Sequence, residues 1–187
     1  MKTIVAWTAT ALLAAAGYAQ AEAMSGKCSI DFKGYSTLHD FEGHVRSQPY
    51  TVEVNRGADG AEQWAAKLAV PAAQMDTQHR RRDKNMHALL RVLQFPLIEG
   101  SVAPADPVLY RGAANPPALP IALTIAGRAN TLQATVKNWQ ENERRVQFDV
   151  EFPVSLKQFG LKPPSVMGVI RVDDRVDVVC HVVLLKD

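Results

Sequence analysis

Apolar side chains recur at every second position through most of this chain, and that period restricts it to strand-rich folds. In residues 146–152, VQFDVEF, apolar and polar residues alternate without a break. A strand with this pattern buries one face and exposes the other, as antiparallel sheets do. We therefore predict an all-β chain of about eight or nine strands. The other predicted strands are residues 28–32, 50–54, 64–70, 97–102, 121–125, 132–136, 166–172 and 176–184, with a brief strand at 108–110.

An antiparallel sheet of about eight strands can close into a barrel, which removes its edges. Many of the side chains predicted to point inward are small, such as Val52, Val54, Ala69 and Ala134. A wall of such residues favours an open interior. The same residues also fit a barrel that is packed solid or a two-sheet sandwich, and composition alone does not separate these alternatives.

The apolar period changes from two to that of a helix within residues 75–96. Met86, Leu89, Leu90 and Leu93 recur at helical spacing and predict one short amphipathic helix. Asp83 is the predicted N-cap, and Phe95-Pro96 is predicted to stop the helix. We expect this helix, residues 83–93, to act as a lid. Its apolar stripe fits either plain core or a ligand wall.

Four motifs occur in a fixed order along the chain. Thr77, Arg82-Asp83 and Met86 precede FPLI at residues 95–98, and the other three motifs are STLHDF at 36–41, LTIAG at 123–127 and FGLKPP at 159–164. Together they resemble the signature of the YceI-like family. The resemblance implies a secreted bacterial protein with a lipocalin-like, eight-stranded antiparallel barrel around a long isoprenoid-type lipid.

Such a lipid needs an apolar bore and a polar contact at its mouth. An Arg82 guanidinium at the lid would suit a phosphate, quinone or phenol oxygen, although Arg82 also fits an ion pair with a carboxylate such as Asp83. Phe41 and Phe159 are more typical of packing aromatics. The candidate ligand-binding residues are Phe32, Phe41, Thr77, Arg82, Met86, Leu89, Leu90, Leu93, Phe148, Val150, Phe152 and Phe159.

The start of the chain reads as a secretory signal. Lys2 precedes an apolar run at residues 4–16, and residues 19–21 and 21–23 both fit a small-residue cleavage site. We expect residues 1–23 to be removed and residues 24–187 to form one barrel domain. The mature protein is then expected to be soluble and periplasmic or secreted, since the apolar run is too short for a comfortable membrane span.

The chain has only two cysteines, Cys28 and Cys180, on the first and last predicted strands. In a secreted protein a single pair favours one disulfide, which would clasp the barrel shut. The alternative is two separate buried thiols, because a sequence does not place Cα atoms.

Catalytic and metal-binding motifs do not stand out, so we do not expect an enzyme. The histidines have no metal-ligand spacing, and neither a Gly-x-Ser-x-Gly elbow nor a glycine-rich phosphate loop occurs. We expect no metal and no cofactor other than a bound isoprenoid-type lipid.

The formal net charge of +2 gives no reason to expect a nucleic-acid partner. The expected partner is an apolar long-chain lipid, with transient contact to a membrane or membrane protein, and the chain is expected to be a monomer or weak dimer. The alternative function is a secreted protein-interaction or stress-protection module with a packed barrel and no lipid.

Overall fold

The structure is a computed structural model that describes residues 21–166 and 170–186. Within these residues it contains ten strands and one α-helix, α1 (Arg80–Leu90). Short 3-10 helices lie at Ala72–Gln74, Pro107–Leu109 and Lys157–Phe159. The strands are β1 (Ala21–Ser36), β2 (Phe41–Arg46), β3 (Tyr50–Arg56), β4 (Glu62–Pro71), β5 (Leu97–Ala105), β6 (Leu119–Ile125), β7 (Arg128–Glu141), β8 (Arg145–Ser155), β9 (Ser165–Val166) and β10 (Ile170–Lys186).

The sheet closes on itself because β1 pairs with β10 from Met24↔Lys186 to Ser36↔Val172. All its pairings are antiparallel, in the order β2-β1-β3-β4-β5-β6-β7-β8-β10-β9. Strands β2 and β3 pair with successive halves of β1, so together they fill one position in the barrel. The two-residue β9 is an extra strand beside β10. The predicted all-β, eight-stranded antiparallel barrel is confirmed.

Three strand predictions need correction. Strand β2 was missed. Residues 170–172 and 176–184 belong to a single strand, β10, and Val166 belongs to β9, whereas residues 167–169 of the predicted strand 166–172 lie outside the described residues. The brief strand at residues 108–110 is instead covered by the 3-10 helix Pro107–Leu109, which Asp106 caps by accepting from the Val108 N–H.

The predicted alternation is visible in the burial of β8, where Val146, Val150, Phe152 and Val154 are buried. These inward side chains meet those of the other strands in one continuous core. In β2 the alternation is hidden, because Gly43 takes the inward position between the apolar residues Phe41 and Val45. A side chain at position 43 would overlap the Phe32 ring, so glycine is required there.

Helix α1 lies one turn earlier than predicted. His79 is the N-cap, its ring accepting from the Arg82 N–H, and the helix ends where Arg91 adopts a left-handed conformation with φ of 53°. Asp83 therefore lies inside the helix and is not its cap. Leu93 lies beyond the helix and is fully exposed.

The predicted disulfide is wrong for this structure: Cys28 and Cys180 are both free thiols. The register explains this, because Cys28 lies opposite Val182 and Cys180 lies opposite Ile30. The two cysteines are thus diagonal neighbours, and Cβ atoms in such pairs lie farther apart than a disulfide requires. The neighbouring Cys28 thiol, together with burial, raises the pKa of Cys180.

Most of the predicted secretory signal lies outside the described residues, and its last residues, 21–23, form the start of β1. The signal stays a prediction. No helix in residues 21–166 or 170–186 is long and apolar enough to cross a membrane.

Candidate functional site: an apolar cavity in the barrel

The barrel encloses a cavity of about 630 Å³. This volume is within the usual range for pockets that bury a small organic ligand. Side chains from the barrel strands and from α1 line it, and most of them are apolar. The wall includes Cys28, Ile30, Phe32, Val45, Val52, Leu68, Ile98, Ile121, Leu123, Val136, Val150, Phe152, Val178 and Val182.

One end of the cavity reaches solvent, and we call it the mouth. It lies between α1 and the β1–β2 connection, which contributes Ser36, Leu38, His39 and Phe41 to the lining. Leu38 is 60% exposed although it lines the cavity. A large apolar side chain at such an entrance gives an apolar ligand a continuous path from the surface to the interior.

Helix α1 has two distinct faces. Arg81, Arg82, Asn85, Met86, Leu89 and Leu90 line the cavity. Arg80, Lys84, His87, Ala88 and Arg91 line a shallow groove on the outside. Residues three and four apart share a face of a helix, so the sequence RRRDKNMHALLR separates naturally into these two sets.

Hydrogen bonds hold α1 against the barrel. Thr77 donates to Asp83 Oδ1 from its N–H at 2.9 Å and from its hydroxyl at 2.6 Å. Burial acts to raise the pKa of Asp83, but these hydrogen bonds outweigh it and hold the pKa below its usual value. His87 Nε2 lies 3.0 Å from the Met75 carbonyl, and Arg91 donates to the Ala126 carbonyl at 2.8 Å.

Arg82 contacts an aromatic ring at the mouth. Its guanidinium carbon lies 4.9 Å from the centroid of the Phe41 ring, a cation–π contact. The Phe41 ring in turn covers Gly34, its cross-strand neighbour. Arg82 makes no ion pair with Asp83 or any other acid of the described residues, so the ion-pair interpretation is wrong. Its N–H groups remain available to a ligand.

Aromatic side chains line the opposite end, which we call the floor and define by Trp64, Tyr110, Trp139 and Phe148. The Trp139 and Phe148 rings stack with centroids 4.7 Å apart, and the Trp64 centroid lies 5.9 Å from that of Trp139. Tyr110 is buried. The floor therefore offers flat apolar surfaces to the end of a ligand.

Charged side chains brace the floor from outside. Trp64 donates its indole N–H to Glu62 at 3.1 Å, and Trp139 donates to Glu141 at 3.2 Å. Arg111, from the β5–β6 connection, forms ion pairs with both acids. Burial acts to raise the pKa of Glu141, but hydrogen bonds from Lys186 and Trp139 and the charge of Arg111 lower it overall.

Polar groups are scarce along the wall. Tyr50 is one of them, and burial raises the pKa of its hydroxyl, so it stays neutral near pH 7. No group of three or more His, Cys, Asp or Glu side chains in the described part of the chain is placed to hold a metal.

Comparison with known proteins agrees with this geometry. A family model described as a YceI-like domain matches residues 17–184. The chain belongs to the YceI-like family. No curated protein matches it.

Solved structures with the same YceI-like fold share little sequence with this chain. Burkholderia cenocepacia BcnA has a TM-score of 0.61 at 16% identity, covering 83% of this chain and 95% of that one. A polyisoprenoid binding domain from Saccharophagus degradans has a TM-score of 0.60 at 13% identity, covering 90% and 100%. Campylobacter jejuni YceI protein has a TM-score of 0.56 at 14% identity, covering 81% and 88%. At these identities the likeness shows the fold alone.

Most of the predicted ligand-binding residues line the cavity of this YceI-like barrel. They are Phe32, Phe41, Arg82, Met86, Leu89, Leu90, Phe148, Val150 and Phe152. Three others do not line it. Thr77 is buried and its hydroxyl donates a hydrogen bond to Asp83. Phe159 is fully buried in the 3-10 helix after β8. Leu93 is exposed on the outside of the barrel.

The sequence analysis identified Phe148 but missed the other three floor residues, Trp64, Tyr110 and Trp139. The sequence contains a signal for Trp64, which is the first residue of a predicted strand, but it contains no such signal for Trp139. Inward residues of β7 are Leu132, Ala134 and Val136, so unbroken alternation would point Trp139 outward. The register of β7 shifts between Lys137 and Gln140, with Asn138 at φ of 54°, and this bulge turns Trp139 toward the cavity.

Proposed function

We propose that this protein holds a long-chain isoprenoid or quinone-like lipid in the barrel, as a periplasmic carrier or store. The observation that carries the proposal is an apolar cavity with a mouth beside α1 and an aromatic floor. Each methylene-sized group that enters such a bore gains about 0.8 kcal/mol relative to water. A long chain therefore binds well with few polar contacts, which fits the scarcity of polar groups along the wall.

The family supports the same ligand class. The Saccharophagus degradans neighbour is described as a polyisoprenoid binding domain. Binding rather than catalysis is the function we assign to the cavity, with the lipid as the only bound molecule. The packed-barrel alternative loses its basis, since its premise was an interior filled by side chains.

The cellular setting is part of the proposal. The apolar run at residues 4–16 supports export, and a soluble carrier would shield its lipid from water between membranes. Such a carrier has to receive its lipid from a membrane or a membrane protein through a transient contact. A monomer or weak dimer is sufficient for this role.

The first prediction tests whether the barrel holds a lipid. Val150 lines the cavity, whereas Val146 on the same strand is fully buried and does not line it. Val150→Trp should fill the bore and abolish lipid retention while leaving thermal stability nearly unchanged. Mass spectrometry of organic extracts from protein purified from its native host should find a lipid with the wild type and none with the variant.

Val146→Trp is the matched control. Added volume there has no empty space to enter and should cost about 1 to 3 kcal/mol of stability. The proposal fails if wild-type extracts contain no lipid, or if Val150→Trp destabilises the barrel as much as Val146→Trp does.

A further inference from the structure

The exposed surface of α1 carries more positive than negative charge. Residues 80–91 contain five Arg or Lys side chains and one acid, Asp83. Asp83 is engaged by Thr77. Arg80, Arg81 and Lys84 are exposed and lie in no ion pair within residues 21–166 and 170–186.

The floor end of the barrel is different. There Arg56 pairs with Glu22 and Glu62, while Lys186 pairs with Glu141. Arg111 also forms ion pairs with Glu62 and Glu141. The cations Arg56, Arg111 and Lys186 at the floor are thus neutralised by neighbours, whereas Arg80, Arg81 and Lys84 on α1 face solvent. The two ends of the barrel therefore differ in how their cations are paired, and the unpaired cations of α1 lie beside the mouth.

Exposed leucines accompany this charge. Leu93, just after α1, has an exposed fraction of 101%, and Leu38 at the mouth is 60% exposed. Leu93 also borders the outer groove that contains Arg80, Lys84 and Arg91. Basic side chains beside protruding apolar ones are the combination that binds the interface of an anionic membrane.

We propose that the mouth end docks on a bilayer containing anionic phospholipids. Arg80, Arg81 and Lys84 contact the headgroups, and Leu38 and Leu93 enter the interface. This orientation sets the mouth against the membrane, so a lipid crosses from the bilayer to the cavity without passing through water. The inference rests on the proposed function, because it supplies the donor surface that a lipid carrier needs.

Vesicle sedimentation tests the docking. Wild-type protein should bind phosphatidylcholine vesicles that contain phosphatidylglycerol, bind pure phosphatidylcholine vesicles much more weakly, and dissociate at high salt. Reversing two cations with Arg80→Glu and Lys84→Glu should weaken binding to the anionic vesicles about tenfold or more. Leu93→Ser should weaken it further without changing the salt dependence.

The matched control is Lys27→Glu with Lys67→Glu, the same change of charge on exposed positions of β1 and β4. This control should bind nearly as wild type does. Equal binding to both kinds of vesicle, or equal losses in the α1 and control variants, would overturn the proposal. Failure of wild-type protein to bind any vesicle would overturn it too and leave an acidic protein as the partner to seek.

Failure of docking is distinguishable from failure of the proposed function. Lipid dispersed in detergent can enter the cavity without a bilayer. The Arg80→Glu, Lys84→Glu variant should therefore load as much lipid from detergent as the wild type, and loading from anionic vesicles should be slower. If neither protein takes up lipid from detergent, the result would contradict the lipid-binding function but would not contradict membrane docking by the mouth end.

Discussion

At the scale of single residues, the most informative contact is Arg82 over the Phe41 ring. A guanidinium that stacks on an aromatic face keeps its N–H groups free at its edges. The contact therefore orients Arg82 at the mouth without consuming its hydrogen-bonding capacity. The sequence could not predict it, because Asp83 is the adjacent acid in the chain and Phe41 comes from a strand that was missed.

The second prediction concerns this arginine. Arg82→Ala should weaken binding of an isoprenoid phosphate by about tenfold or more, since it removes a charge-assisted hydrogen bond. Binding of an isoprenoid hydrocarbon of equal length should not change. Competition against a fluorescent lipid measures both affinities. Arg80→Ala, on the outer face, is the control, and equal weakening for the two lipids would assign Arg82 a purely structural role.

The third prediction concerns His181 on the outer surface. Its Nδ1 lies 2.7 Å from Asp149 and its Nε2 lies 3.1 Å from Asp31. The hydrogen bond to Asp149 and the charges of both acids raise the pKa of His181 above its usual 6.5, against a smaller effect of burial. Because the pKa is raised on folding, the stabilisation is complete below pH 6.5 and is lost as pH rises through the folded-state pKa.

The effect should be small, because the His181 side chain is 46% exposed and water screens the pair. His181→Asn should cost under about 1 kcal/mol below pH 6.5, and the cost should shrink above it. Urea unfolding at a series of pH values measures this difference. A difference that stays constant with pH, or one matched by His39→Asn at an exposed position, would contradict it.

At the scale of elements, the helix was predicted in the right segment but misplaced by one turn. Asp83 has the side chain of a typical N-cap, yet its partner is Thr77, which precedes the helix. This contact spans six residues, which is longer than the two- or three-residue reach of an N-cap side chain, so the capping pattern did not predict it. The strands with regular alternation were predicted well, whereas β2 and the end of β7 were not, because a glycine and a bulge interrupt their period.

The fourth prediction concerns how α1 seals the cavity. Leu90 is buried and lines the cavity, whereas Leu93 is exposed. Leu90→Asp should accelerate release of bound lipid about tenfold or more, because a charge on the buried face admits water beside the ligand. The barrel itself should remain folded, as circular dichroism would show. Stopped-flow transfer to excess detergent measures release.

Leu93→Asp adds the same charge three residues later and should leave the release rate unchanged. Similar rates for Leu90→Asp and the wild type would mean that α1 does not control the exit. Loss of the β signal in Leu90→Asp would show that the barrel depends on this helix.

At the scale of the whole molecule, the fold class was predictable but the cavity was not. Alternation identifies strands and their buried faces, and residues such as Val150 and Phe152 followed directly from it. Volume is a property of all the walls together, and it depends on how eight strands close around side chains of several sizes. The cysteines illustrate the same limit, since only the register of β1 and β10 separates a disulfide from a diagonal pair of thiols.

The seam between β1 and β10 has one more consequence. Met24 lies directly opposite Lys186, so the two ends of the barrel chain are about one strand spacing apart. A short glycine-serine linker from Lys186 to Met24, with new termini in the exposed turn between Ala58 and Asp59, should therefore give a circular permutant that folds and keeps its lipid. Thermal unfolding with lipid extraction measures this. New termini beside Val150 should abolish folding, because they would interrupt β8, a strand of the closed sheet.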